Sequence, residues 1–238
     1  MNKQSNTYTV IYIIVLVVIV GTALAFTSMS LRDRQLTNAN ADKMKQILQA
    51  ADIKSTDKDV KELFAQHITK MMLVNVDGEV VKEGGAYDKD IFDIDVAAQA
   101  KLPAEDRQLP VFVCQKDGAE KYIVPVAGNG LWGPIWGYVA FDTNGSTVYY
   151  AFFSHQGETP GLGAEIEKPA FWNEFKGKSF FKDGKFMPIM VVKAGQHPAD
   201  GSDYVDGISG GTITSKGVGA MIDNCISPYK AYLQSLNK

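Results

Sequence analysis

Between Asp206 and Val218 the chain reads DGISGGTITSKGV, which sets Gly207, Gly210 and Gly211 among four hydroxyl residues, Ser209, Thr212, Thr214 and Ser215. Three kinds of chemistry suit that spacing: a nucleophile on a sharp bend, a phosphate cradle, or a plain turn. Gly207-Ile208-Ser209-Gly210-Gly211 satisfies the G-x-S-x-G of a nucleophile elbow, which needs a histidine base later in the chain. His67, His155 and His197 all precede Ser209, and the strand–helix alternation of that fold is missing, so the hydrolase reading is set aside. A phosphate at a helix N-terminus meets unpaired backbone N–H groups and the positive end of the helix dipole. Glycines let the backbone approach it, and hydroxyls supply further donors or caps. The Gly-Lys-Ser/Thr order of a P-loop is absent. A glycine turn capping a helix explains the same residues without a ligand, and physics alone leaves these two readings level.

Two more glycine loops bear on the choice. HQGETPGLGAEI, residues 155 to 166, lies between a strand pattern and a helix pattern, and GNGLWGPIWG, residues 128 to 137, sets Trp132 and Trp136 among four glycines. Glycine loops beside aromatic rings suit a flat conjugated ligand, with amides at its polar edges and apolar side chains such as Leu162 on its faces. The competing reading of each tryptophan is ordinary core packing.

Asp206-Gly-Ile-Ser-Gly-Gly-Thr212 resembles the flavinylation motif D-G-x-S/T-G-A-T/S, whose last hydroxyl residue forms a phosphodiester with FMN. An apolar N-terminus, GLWG, ETPGLGAEI and SGGTITS, in that order, make the whole chain similar to the NqrC family, components of sodium-translocating NADH:quinone reductases. The RnfG component of the Rnf complex is a cousin, but NGLWGPIWG and the long insert before it favour the quinone reductase. The resemblance implies FMN on Thr212, the phosphate held by Ser209, Gly210 and Gly211, and the ring bordered by Thr159 and Leu162, with Trp132, Gly163 and Thr214 in the binding set. It implies that Glu158 stabilises its loop, and that the Asp206 carboxylate faces away or onto the motif's own N–H groups. Thr214 and Ser215 are expected to cap the helix. Gly211 stands where the family usually has alanine. The ring would relay electrons, so no acid–base pair is required and no catalytic side chain is assigned. Implied partners are the other membrane and flavin or iron–sulfur proteins of the pump, and an FMN transferase during maturation. A reading of another class remains: a membrane-tethered binding module whose glycine loops are only turns.

The elements that position these loops follow from pattern. Asp77-Gly78, Asp117-Gly118 and Asn144-Gly145 each separate two apolar-rich runs, as tight hairpins require. A helix is expected at about 29–53, another after Ser55 or Thr56, one at about 167–176 and a closing one at about 215–236, with a strand at 187–193. Strands first and helices afterwards indicate an α+β fold, here an antiparallel-sheet domain with flanking helices.

From Gln4 to Leu31 no side chain is charged, long enough to cross a bilayer once. The expected division is a tail at 1–7, a transmembrane helix at 8–27, a helical stalk at 28–66 and the FMN-binding domain at 67–238. Lys3 and Ala23-Leu24-Ala25 also fit a cleaved signal peptide, but the run is longer than such a core, so a retained anchor is favoured. Such a span, free of intramembrane charge, anchors the chain and offers no ion path. Arg32, Arg34, Lys43 and Lys45 after the span argue for a cytoplasmic domain by charge bias, the cleavage-like end argues for the outside, and the residues alone leave orientation open. The family resemblance implies an inner-membrane protein with its domain in the periplasm. A net charge of −3 without a basic block gives no sign of a nucleic-acid partner. Cys114 and Cys225, far apart and outside any CxxC, read as buried thiols and form no metal set with the scattered histidines.

Overall fold

The computed structural model describes residues 6–237; Lys3 lies outside them. The chain divides into two compact units, Met1–Lys43 and Met44–Lys238. In the first, helix α1 (Asn6–Ala50, with residues 44–50 in the second unit) carries the uncharged run from Asn6 to Leu31. Among the described residues it is one helix long and apolar enough to cross a membrane. Its side chains from Val10 to Val20 are exposed, as suits a surface meeting lipid. Ala23-Leu24-Ala25 sits inside this helix.

After residues 44–50, the second unit continues with α2 (Val60–His67) and six strands: β1 (Ile68–Val74), β2 (Val80–Gly84), β3 (Leu109–Lys116), β4 (Ala119–Asn129), β5 (Pro134–Phe141) and β6 (Val148–His155), of which β3 pairs with β1, so the order is not a simple meander. Short helices α3 (Lys89–Phe92) and α4 (Val96–Gln99) fill the connection between β2 and β3. The six strands form one antiparallel sheet in the order β2-β1-β3-β4-β5-β6. All three expected hairpins are present at their turn pairs. At Asp117-Gly118 both residues take positive φ, 54° and 76°, the geometry that matches a two-residue turn to the twist of its strands.

After the sheet come α5 (Pro169–Asn173), a small hairpin of β7 (Phe181–Lys182) and β8 (Lys185–Phe186), then β9 (Met190–Lys193) and β10 (Tyr204–Gly207), which pair in parallel. Helix α6 (Thr212–Ile226) and α7 (Lys230–Leu236) close the chain. The single closing helix expected at 215–236 is thus two, divided at Ser227-Pro228-Tyr229, because proline cannot continue the α-helical ladder. The expected strand at 187–193 is confined to β9.

Strand β3 is buried from Leu109 to Cys114 without alternation, since helices cover both faces of the sheet. α6 packs on β4, while α2 and α3 pack on β1. One core joins Val113, Val124, Val139 and Phe153 of the strands to Phe171, Val218, Ile222 and Leu233 of the helices and to Phe175 in the turn after α5. Each such large apolar side chain, once buried, contributes about 1.5–3 kcal/mol. Glycine decides how closely α6 lies on β4: a Cβ on Gly128 would stand 2.8 Å from the Met221 Cβ, and one on Gly217 would collide with the Asn129 carbonyl oxygen.

Candidate functional site

The N-terminus of α6 gathers the glycine loops. Gly211 is its N-cap residue and no side chain caps that end, so the first-turn N–H groups of Thr212, Ile213 and Thr214 have no side-chain acceptor among the described residues. Gly210 sits at φ 75°, a backbone that side chains rarely adopt, and a Cβ there would stand 2.6 Å from Leu162 Cδ2. The second and first glycine loops therefore touch at Leu162 and Gly210.

Thr212 and Thr214, two residues apart, meet different surroundings. Thr212 is exposed at the helix start, as is Ser209 before it. Thr214 is only 1% exposed, and its hydroxyl donates to Glu158 Oε2 at 2.5 Å. Ser215, also buried, accepts the Ile208 N–H at 2.8 Å. Neither is a helix cap, contrary to the sequence expectation: their hydroxyls tie the helix to Glu158 and to its own preceding turn.

Glu158 is 5% exposed. Besides Thr214, it accepts the Trp132 N–H through Oε1 at 2.8 Å, and its own N–H donates to His155 Nδ1 at 3.1 Å. Both oxygens act only as acceptors, as a carboxylate's do, and it forms no ion pair among the described residues. Its surroundings explain two glycines. A Cβ on Gly130 would strike Oε1, and one on Gly163 would strike Oε2 and stand 2.5 Å from Thr214 Oγ1. These glycines make room for a side chain of the protein itself.

Around this buried node the surface is apolar. Trp132 is 67% exposed and Leu162 43% exposed, with Leu131 and Ile213 exposed as well. Thr159, exposed, holds the loop by accepting the Leu162 and Ala164 N–H groups at 3.1 Å each. Trp136, by contrast, is half-buried and donates through Nε1 to Gln46 Oε1 at 3.0 Å. Asp206 lies on β10, where its N–H donates to Glu174 Oε2 at 2.7 Å. Its carboxylate accepts no hydrogen bond among the described residues, so it does not cap the motif's own N–H groups. Of the expected site residues, Trp132, Glu158, Leu162, Gly163, Gly210, Gly211 and Thr214 thus converge beside Thr212.

A cleft of about 440 Å³ opens beside Thr212, lined by Val192, Lys193, Gln196, Ser209, Gly210 and Lys216 among others. Sequence reading missed Lys193, Gln196 and Lys216. The first two arrive on and after β9, whose parallel pairing with β10 leaves no local pattern. Among the described residues neither lysine forms an ion pair, so the cleft mouth is electropositive and suits an anionic group.

Fold and site together define a class. Residues 130–227, which hold Trp132, Glu158, Leu162 and Thr212, match the FMN-binding domain family. Beyond that stretch, the chain is 39% identical over 212 residues to the NqrC component of the Na(+)-translocating NADH-quinone reductase of Vibrio vulnificus, covering 84% of this chain and 81% of that one. It is 37% identical over 228 residues to the corresponding protein of Vibrio anguillarum, covering 91% and 89%. The crystal structure of the Parabacteroides distasonis counterpart is similar, with a TM-score of 0.77 at 48% identity over 85% of this chain and 96% of that one. Shewanella oneidensis NqrC gives 0.65 at 30%, over 84% and 98%. The chain belongs to the NqrC family of the Na(+)-translocating NADH-quinone reductases, an oxidoreductase complex, and carries that family's FMN-binding domain.

Proposed function

We propose that this chain is a membrane-anchored electron-transfer subunit that holds FMN covalently, through a phosphodiester between its phosphate and Thr212 Oγ1. The observation that carries this reading is the contrast at the start of α6: Thr212 offers an exposed hydroxyl, while its neighbour Thr214 is buried and bonded to Glu158.

The residues present fit the group. The N–H groups at the start of α6 have no capping side chain, and a helix N-terminus favours the negative charge of a phosphate. Left-handed Gly210 and compact Gly211 bring the backbone close to it. Lys193 and Lys216 line the adjoining cleft and add long-range attraction for the singly charged phosphodiester. Trp132 and Leu162 supply exposed apolar surface on which a flat ring is covered, with Thr159 holding the loop between them. When bound, the flavin supplies the electron-transfer chemistry, and the protein supplies position and electrostatics. Thr212 acts as a tether; a transferase would make its Oγ–P bond once, the hydroxyl giving up its proton and displacing the leaving group of an activated flavin phosphoanhydride, and the bond stays intact in turnover.

In this reading α1 spans the inner membrane and the folded unit lies in the periplasm, where it meets the other redox proteins of the complex. The test is the intact mass of the denatured chain made in a host with the flavin transferase. A mass increase equal to attached FMN that Thr212→Ala abolishes is expected. A wild-type chain of unmodified mass contradicts the reading.

A further inference from the structure

We propose that Glu158 is a positioning residue: its carboxylate locks the turn at 130–133, its own loop and the first turn of α6 in one geometry, and so fixes how Thr212 stands relative to Trp132 and Leu162. The spectroscopic half of the test rests on the FMN reading; the other half does not.

Three observations carry it. Glu158 reaches residues 26 and 56 positions away, Trp132 and Thr214, with one oxygen for each, so one rigid group joins segments that the chain order leaves apart. The carboxylate is almost fully buried without a cation, an arrangement that costs free energy unless each acceptor is satisfied. Gly130 and Gly163 have no room for a Cβ because the carboxylate occupies it. Two loops are thus built around this side chain, and the exposed apolar residues that follow or precede them, Leu131, Trp132 and Leu162, inherit their placement from it.

The negative charge has a second effect. Because Glu158 is 5% exposed, a charge on its carboxylate is screened less than one at the surface. Glu158 therefore opposes electron gain by a ring resting on Trp132 and Leu162, and holds its midpoint potential down.

The test uses the full chain, made with and without the flavin transferase. In the flavin-free chain, Thr214→Val removes one hydroxyl from Glu158 and preserves shape. Amide exchange at Trp132, which bonds to the other oxygen of Glu158 and not to Thr214, is expected to quicken about tenfold, while β3 keeps its protection. In the flavin-loaded chain, Glu158→Gln keeps an acceptor for Trp132 and removes the charge. Its FMN mass is expected to persist, with altered visible circular dichroism and a raised midpoint. Unchanged Trp132 exchange in the first variant overturns the proposal, as does a wild-type midpoint in the second. Should Glu158→Gln fail to fold, Thr214→Val carries both readouts, and wild-type circular dichroism there overturns it. A wild-type chain without FMN mass defeats the flavin reading, and the exchange result still decides the role of Glu158.

Discussion

Thr212 and Thr214 share a side chain and differ in everything that surrounds it: the first is exposed, the second is spent on Glu158. The motif resemblance points to Thr212, whereas what occupies the Thr214 hydroxyl depends on a carboxylate 56 positions away, which no local pattern reveals. Gly211 stands where the family usually has alanine. A Cβ there would lie 3.1 Å from the Ile208 Cβ and 3.2 Å from the Gly163 nitrogen, so the neighbours must yield by a few tenths of an ångström. Gly211→Ala is therefore expected to keep full FMN loading and to cost about 1 kcal/mol or less, read by urea denaturation and by the flavin-to-protein ratio. A loss of loading contradicts this. Ionisable core groups make a separate prediction. Burial pushes the Cys114 thiol up to about 12 from 9.0. Burial and then the bond to Glu120 push Tyr122, and burial and then the bond to Asp117 push Tyr149, up to about 12 from 10.0. The unfolded chain ionises first, so these groups support the fold fully below pH 9 and lose that support as pH rises towards 12. The urea midpoint of the folded unit is expected to fall between pH 9 and 11; a flat midpoint over that range contradicts it. Both cysteines are free and buried, as their spacing suggested.

Among the elements, much of the six-stranded sheet was legible because three of its four hairpins are announced by an Asp-Gly or Asn-Gly pair between apolar-rich runs, whereas the β4–β5 turn at 130–133 and the pairing of β1 with β3 are not. The β9–β10 pair was not, since four-residue strands joined in parallel across a long loop carry no periodic signal. The glycine loops were legible as loops, but the reason for two of their glycines was not. Their pattern suits backbone amides at the edges of a flat ligand, and the structure adds that Gly130 and Gly163 make room for Glu158. Gly163→Ala is accordingly expected to destabilise the folded unit by about 1–3 kcal/mol through overpacking. Gly161→Ala meets open space but takes a positive φ, so it costs about 1 kcal/mol by backbone strain alone. The urea midpoints of the two variants separate these causes: the Gly163 variant should also quicken amide exchange at Trp132 and the Gly161 variant should not. In the core, Phe153 meets Phe171 and Phe175 at ring-centroid distances of 6.0 and 5.0 Å, and Phe153→Ala is expected to cost about 3–5 kcal/mol.

For the whole molecule, an apolar helix and a folded flavin-binding unit divide the work between placement and chemistry. Charge bias after the span and family resemblance point to opposite sides of the membrane, and the proposed periplasmic side is open to a direct check. An impermeant amine reagent applied to intact spheroplasts is expected to label exposed Lys101; labelling only after lysis contradicts a periplasmic domain. The proposed covalent tether bears on the whole assembly, because a flavin fixed at α6 would stay with this chain through every turnover and through purification. Intact mass spectrometry of the denatured chain, produced with the flavin transferase, tests this most directly. The wild type is expected to carry the added mass of FMN, localised by peptide fragmentation to Thr212 and absent from Thr212→Ala. An unmodified wild-type mass, or FMN on Thr214 in place of Thr212, would contradict it.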